Sequence, residues 1–169
     1  MGAERNDDGF AYALVSATPL QDTNAAGIGI VYKARDRSTI RTVCQALQDT
    51  DPLAAAYEAV MRVLEEALRT QVRRVKIYLD IPEVVNQLAG DAPVPRPLLV
   101  AHLKTRGMIN QLAGVNLVAA TNSRFSARLL AESARLPGAG RLPGAERPAT
   151  APQSARIRQL ALLPEDALA

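Results

Sequence analysis

Asp80 is the residue best placed to do chemistry. It closes the apolar run Val75, Lys76, Ile77, Tyr78, Leu79 and is followed at once by Ile81, Pro82 and Glu83. The run reads as a strand and the Pro82-led segment as a short helix, so a carboxylate stands at a strand-to-helix junction. Grouped with other acids there, it would hold hard divalent cations, which activate water and offset charge in phosphodiester hydrolysis. By itself it would satisfy free amide donors at the helix start, a use typically worth ~1 kcal/mol. Capping is the first expectation for Asp80, and metal or phosphate chemistry the second.

The other reactive side chains are sparse. Arg69, Arg73 and Arg74 gather between a helix and the next strand, and Arg124 and Arg128 stand one turn apart at the start of a later helix. Both groups suit a phosphate backbone, but charges at a helix C-terminus for the first and a solvated face for both are the first expectation, and phosphate binding the second. His102 has no cysteine or carboxylate at metal spacing and reads as an ordinary helical residue. Ser16 and Thr18 have no His or Lys placed to activate them, which excludes a serine nucleophile. Cys44 is the single cysteine, so an internal disulfide and a multi-cysteine zinc site are excluded. It reads as a small buried apolar residue in a strand.

Composition limits the classes further. The chain has 169 residues, 48% hydrophobic and 22% charged, enough for one globular core plus a tail. Aromatics are only 4% with no Trp, which argues against base stacking as the main binding device. Lys and Arg number 20 against 17 Asp and Glu, a mildly basic balance that permits nucleic-acid contact without demanding it. Residues 1–9 carry no apolar signal core, and no apolar stretch approaches the ~20 residues that span a bilayer. A cytoplasmic protein without membrane association is expected.

The elements that must position Asp80 follow from periodicity and punctuation. Residues 10–18, 26–34 and 39–47 read as strands joined by short polar links, an antiparallel meander. Asp51 and Pro52 supply helix-start chemistry, and Tyr57, Val60, Met61, Leu64 and Leu68 then define one buried face of a helix over 52–69. A strand over 75–80, a short helix over 82–89, a helix over 98–113, a strand over 115–120 and a helix over 123–136 complete the series. The order implies an α/β domain at 9–136: a mixed five-stranded sheet, three antiparallel strands then two parallel ones, flanked by helices. Residues 1–8 form a polar leader. The near-duplicated hexapeptides at 135–140 and 141–146 lie where a Pro/Gly-rich linker over 137–152 is expected. The tail, 153–169, carries Ile157, Leu160, Ala161 and Leu163, a short amphipathic helix that would need a surface to dock on.

Four segments in order resemble the ribonuclease H-like family, as found in type 1 ribonucleases H and reverse transcriptases. Asn24 to Val31, with Gly27, Ile28 and Gly29, is similar to its turn into the second strand; Ala55 to Val60 to its first helix; Asp80 with Val84, Val85, Asn86, Gln87 and Leu88 to its most specific motif; and Asn122 with Leu129 and Ala131, loosely, to its closing helix. The resemblance implies hydrolysis of the RNA strand of a hybrid by two metals, Mg2+ or Mn2+, held by four carboxylates. Matched residue by residue, however, Ser16, Ala56 and Ser126 or Ala127 stand at the other three positions, and only Asp80 remains. Glu58 lies about 200° round the helix from Ala56 and should face away; Asp22 and Glu83 are the acids left to substitute.

The expectation is therefore a degenerate site with no resident cofactor, metal binding being confined to Asp80 and any residual activity. The function expected is nucleic-acid binding, to RNA, DNA or a hybrid, through Asn24, Arg73, Arg74, Asn86, Asn122, Arg124 and Arg128. Two alternatives stand beside it: a protein-interaction or self-association module using the C-terminal segment, and a hybrid ribonuclease with a rearranged site.

Overall fold

The computed structural model describes residues 10–21, 23–120 and 126–134. The linker and tail expected beyond Leu136 lie outside the described residues.

Five strands form one mixed sheet: β1 (Ala11–Pro19), β2 (Ala25–Lys33), β3 (Thr39–Gln48), β4 (Arg74–Leu79) and β5 (Gly114–Ala119), in the order β3-β2-β1-β4-β5. The first three are antiparallel, and β4 and β5 join in parallel beyond β1, as the short links and crossover helices require. Four helices flank the sheet: α1 (Pro52–Arg69), α2 (Pro82–Ala89), α3 (Leu99–Ile109) and α4 (Ser126–Ser133). Asp51 caps α1 by accepting a 2.9 Å hydrogen bond from the Ala54 amide, with Pro52 at the first turn. Among the described residues no helix is long and apolar enough to cross a membrane.

Strand alternation divides the sheet into two faces. Ala13, Val15 and Ala17 of β1, Ile28 and Ile30 of β2, and Val75, Ile77 and Leu79 of β4 turn one way. They join Ala56, Tyr57, Val60 and Leu64 of α1 and Val84 and Leu88 of α2 in a single core. Ser16, Thr18, Gly27 and Gly29 turn the other way, toward α4. There the two glycines make room for the helix backbone. A Cβ on Gly27 would lie 2.0 Å from the Ala131 carbonyl oxygen, and one on Gly29 would lie 1.9 Å from that of Ala127. The backbone of α4 thus rests directly on β2, with Ala127 and Ala131 fully buried at the contact.

Two expectations are corrected here. Cys44 is exposed rather than buried, because β3 is the edge strand, and its register partner Gly29 turns it to the rim of α4, where its thiol donates to the Leu130 carbonyl at 3.1 Å. The helix expected over 98–113 is shorter: a 3-10 turn at Arg96–Leu98 leads into α3, which ends at Ile109.

Candidate functional site

Parallel pairing of β1 with β4 sets Val15 beside Leu79, so Ser16 and Asp80 follow as neighbours at the same end of the sheet. The alternation that buries Ile77 and Leu79 under α1 turns Tyr78 and Asp80 to the opposite face. The fully buried Ser16 Oγ donates a 2.6 Å hydrogen bond to Asp80 Oδ2. Asp80 Oδ1 is buried and has no hydrogen-bond partner among the described residues. Burial raises the Asp80 pKa above the usual carboxylate range, against the lowering effects of the Ser16 hydroxyl and the charge of Arg128.

Asp80 is therefore not the helix cap that its position suggested. Ile81 is the N-cap of α2 and makes no side-chain hydrogen bond to it, and Pro82 opens the helix. The carboxylate turns back onto β1 because it keeps the phase of its strand.

The positions where the resemblance implies further acids are occupied as follows. Ala56 is completely buried in the core, Ala127 is buried against Gly29, and Ser126 is exposed at the start of α4. Glu58 faces elsewhere, paired with Arg62 at 3.1 Å. Glu83 accepts from Gln87 Nε2 at 3.3 Å, and its charge acts on Tyr57. Asp22 lies outside the described residues. Among the described residues no three His, Cys, Asp or Glu side chains come together to hold a metal ion. Among the described residues, the one carboxylate, hydroxyl and nearby guanidinium do not by themselves fit a pair of hard cations, which need several charged oxygens.

Of the residues expected to contact nucleic acid, Arg128 acts electrostatically on Asp80, while its guanidinium also donates to Glu132 at 2.9 Å. Asn24 immediately precedes β2 at the same end of the sheet as Asp80, its amide donating to Asp49 at 3.2 Å. Arg73 and Arg74 lie at the other end of β4, on the order of 20 Å away, where Arg74 covers the Phe10 ring at 5.8 Å. Asn86 is exposed on α2, and Asn122 and Arg124 lie outside the described residues. Arg69 is committed to Glu66 at 2.6 Å.

Two features had no signal at the level of single segments. Tyr57 Oη donates to Gln87 Oε1 at 2.9 Å and lies 3.2 Å from His102 Nδ1, so His102 ties α3 to α1 instead of being an ordinary helical residue. Burial, with the charge of Glu83 behind it, pushes the Tyr57 pKa up to about 12. Glu66, only 6% exposed, is held by Arg69 and by Arg41 at 3.0 Å on the wall of a groove of about 370 Å³ between α1 and β3. The i,i+4 spacing of Glu83 and Gln87 was legible; the partners from other elements were not.

No family model matches the chain, and no curated protein matches it. Its architecture is similar to many solved structures, among them the following three. The N-terminal RNase H domain of a Mycobacterium tuberculosis protein is 23% identical, with 73% of this chain and 98% of that one covered and a TM-score of 0.63. RNase H1 from the halophilic archaeon Halobacterium salinarum is 18% identical over 73% of this chain and 95% of that one, with a TM-score of 0.66. An RNase H1 isolated from compost by a metagenomic approach, solved in complex with an RNA/DNA hybrid, is 20% identical with the same coverage and a TM-score of 0.64. The chain has the ribonuclease H-like fold.

Proposed function

We propose that this ribonuclease H-like chain is a nucleic-acid-binding module without hydrolytic activity. The bond from Ser16 to Asp80 carries the reading. A serine hydroxyl takes up Asp80 Oδ2, and burial disfavours the ionised form of the carboxylate that would bind a metal. Ala56 and Ala127 supply no further donor. The sheet end that bears Asn24, Ser16, Asp80 and Arg128 is the contact surface. Arg128 offers a phosphate a cation there, while the hydroxyl on Asp80 weakens the repulsion that a bare carboxylate would impose. The similar compost enzyme, solved with an RNA/DNA hybrid, supports a hybrid as the first ligand to try.

The test is fluorescence anisotropy with a labelled RNA/DNA hybrid, beside single-stranded RNA and duplex DNA. Binding should weaken steeply with salt, fall with Arg128→Glu and remain unchanged with Arg73→Glu at the far end of β4. In parallel, hybrid cleavage is measured with Mg2+ and with Mn2+. Cleavage that Asp80→Asn abolishes would establish a hybrid ribonuclease with a rearranged site and overturn the reading, as would binding undetectable at low salt.

A further inference from the structure

Helix α3 packs only part of its apolar surface inward, with Ala101, Met108 and Ile109 against the core. It buries Thr105, whose hydroxyl donates to the Ala101 carbonyl at 2.7 Å, and turns His102 inward to Tyr57. It leaves Leu99, Val100 and Leu103 at 42%, 64% and 67% exposed. These three are adjacent on the helix surface, because residues four apart stand one above the other. Leu99, Leu103 and Gly107 make one row, and Arg96, Val100 and Lys104 lie along the next.

Gly107 is the informative member. Its φ is not in the left-handed region, and a Cβ there would meet nothing within 4 Å. Nothing inside the described domain requires glycine at this position in the last turn of α3, yet glycine is disfavoured in a helix relative to alanine, by up to about 1 kcal/mol in its interior. A gap in line with two exposed leucines fits a close approach from outside: a ridge of side chains on a second helix would enter it, as ridges enter grooves in packed helix pairs.

Charge selects the kind of helix. No Asp or Glu occurs between Asp91 and Glu132, whereas Arg96, Lys104 and Arg106 border the face and are exposed. A second copy of this face would set these cations against one another. We infer that the exposed face of α3 receives an amphipathic helix of a partner protein, with an apolar ridge flanked by Asp and Glu. The inference does not depend on the nucleic-acid reading, which concerns the sheet end at Asp80.

The probe is a fluorescein-labelled helical peptide with Leu at i, i+3, i+4 and i+7 and Glu on both flanks, titrated with the full chain. A peptide of the same pattern with Lys for Glu is the control. The Glu peptide should bind and the Lys peptide should not. Gly107→Leu should raise the Tm of the domain, because it removes a helical glycine, yet weaken peptide binding by about tenfold or more, a loss of about 1.4 kcal/mol. Leu103→Lys should abolish binding. A stabilised Gly107→Leu protein with unchanged binding, no binding of the Glu peptide, or equal binding of both peptides would overturn the inference. So would sedimentation of the full chain as a dimer that Leu103→Lys dissociates, or binding to phosphatidylglycerol vesicles that Leu103→Lys removes.

Discussion

Ser16 and Asp80, 64 residues apart in the chain, are joined by a 2.6 Å hydrogen bond from the serine hydroxyl to the carboxylate. Parallel pairing of β1 with β4 makes them neighbours, and Oδ1 of Asp80, buried and without a hydrogen-bond partner among the described residues, makes the bond matter. Ser16→Ala would leave both carboxylate oxygens without a hydroxyl donor, at a cost of about 1–3 kcal/mol measurable by chemical denaturation. Ser16→Asp would set two carboxylates together, so its Tm should drop in EDTA and recover with Mn2+. The parent protein should show no Mn2+ response in the same melts.

The raised pKa of Asp80 has a definite sign in stability. Folding favours the protonated form, so this contribution is fully present below the unfolded value of ~3.9 and is lost as pH rises through the higher folded value. Asp80→Asn is neutral at every pH. Its Tm should match that of the parent near pH 3 and exceed it near pH 7. Melts across that range check this, and a difference that does not vary with pH would refute a strained carboxylate.

Glu66 should behave in the opposite sense. Arg69 chiefly, and Arg41 with it, hold its pKa below the usual range against the opposing effect of burial. Its stabilisation is present above the unfolded value of ~4.3 and disappears as pH falls through the lower folded value. Glu66→Gln should therefore be less stable than the parent at pH 7, with the gap closing in acid. Because both arginines are largely exposed, at 60% and 68% of their side chains, the loss should be about 1 kcal/mol and shrink with added salt.

The seat of α4 on β2 admits almost no added volume. A Cβ at Gly29 would fall 1.9 Å from a backbone carbonyl oxygen, an atom that no rotamer change can move aside. Gly29→Ala should cost about 3 kcal/mol or more, at or beyond the upper end of ordinary overpacking. Hydrogen exchange should show α4 losing protection while α1 keeps its own. Gly29→Ala melting like the parent would mean that the helix does not bear on the strand.

Much of the fold was legible because its signals are local. Pro52 to Arg69 and Pro82 to Ala89 are helices with the bounds that capping chemistry and spacing indicate, and the strands differ from expectation by about one residue at each end. α3 was harder to read. Pro95 and Pro97 obscured the 3-10 entry, and its apolar residues are divided between the packed side, Ala101, Met108 and Ile109, and the exposed side, Leu99, Val100 and Leu103. At the site, the sequence showed only that Ser16 and Ala56 stand where the resemblance implies acids. What Asp80 does in their place was not legible, since capping is the natural expectation for an acid before a proline-led helix, and the structure turns it to a serine instead.

Sequence by itself determined the order of elements and the sheet that they build, because caps, periodicity and short links act over a few residues. Tertiary structure decided the partners: Ser16 for Asp80, the α4 backbone for Gly27 and Gly29, and His102 for Tyr57. Each of those contacts depends on strand register or helix phase between distant segments, and a side chain's neighbours are defined only once both are set.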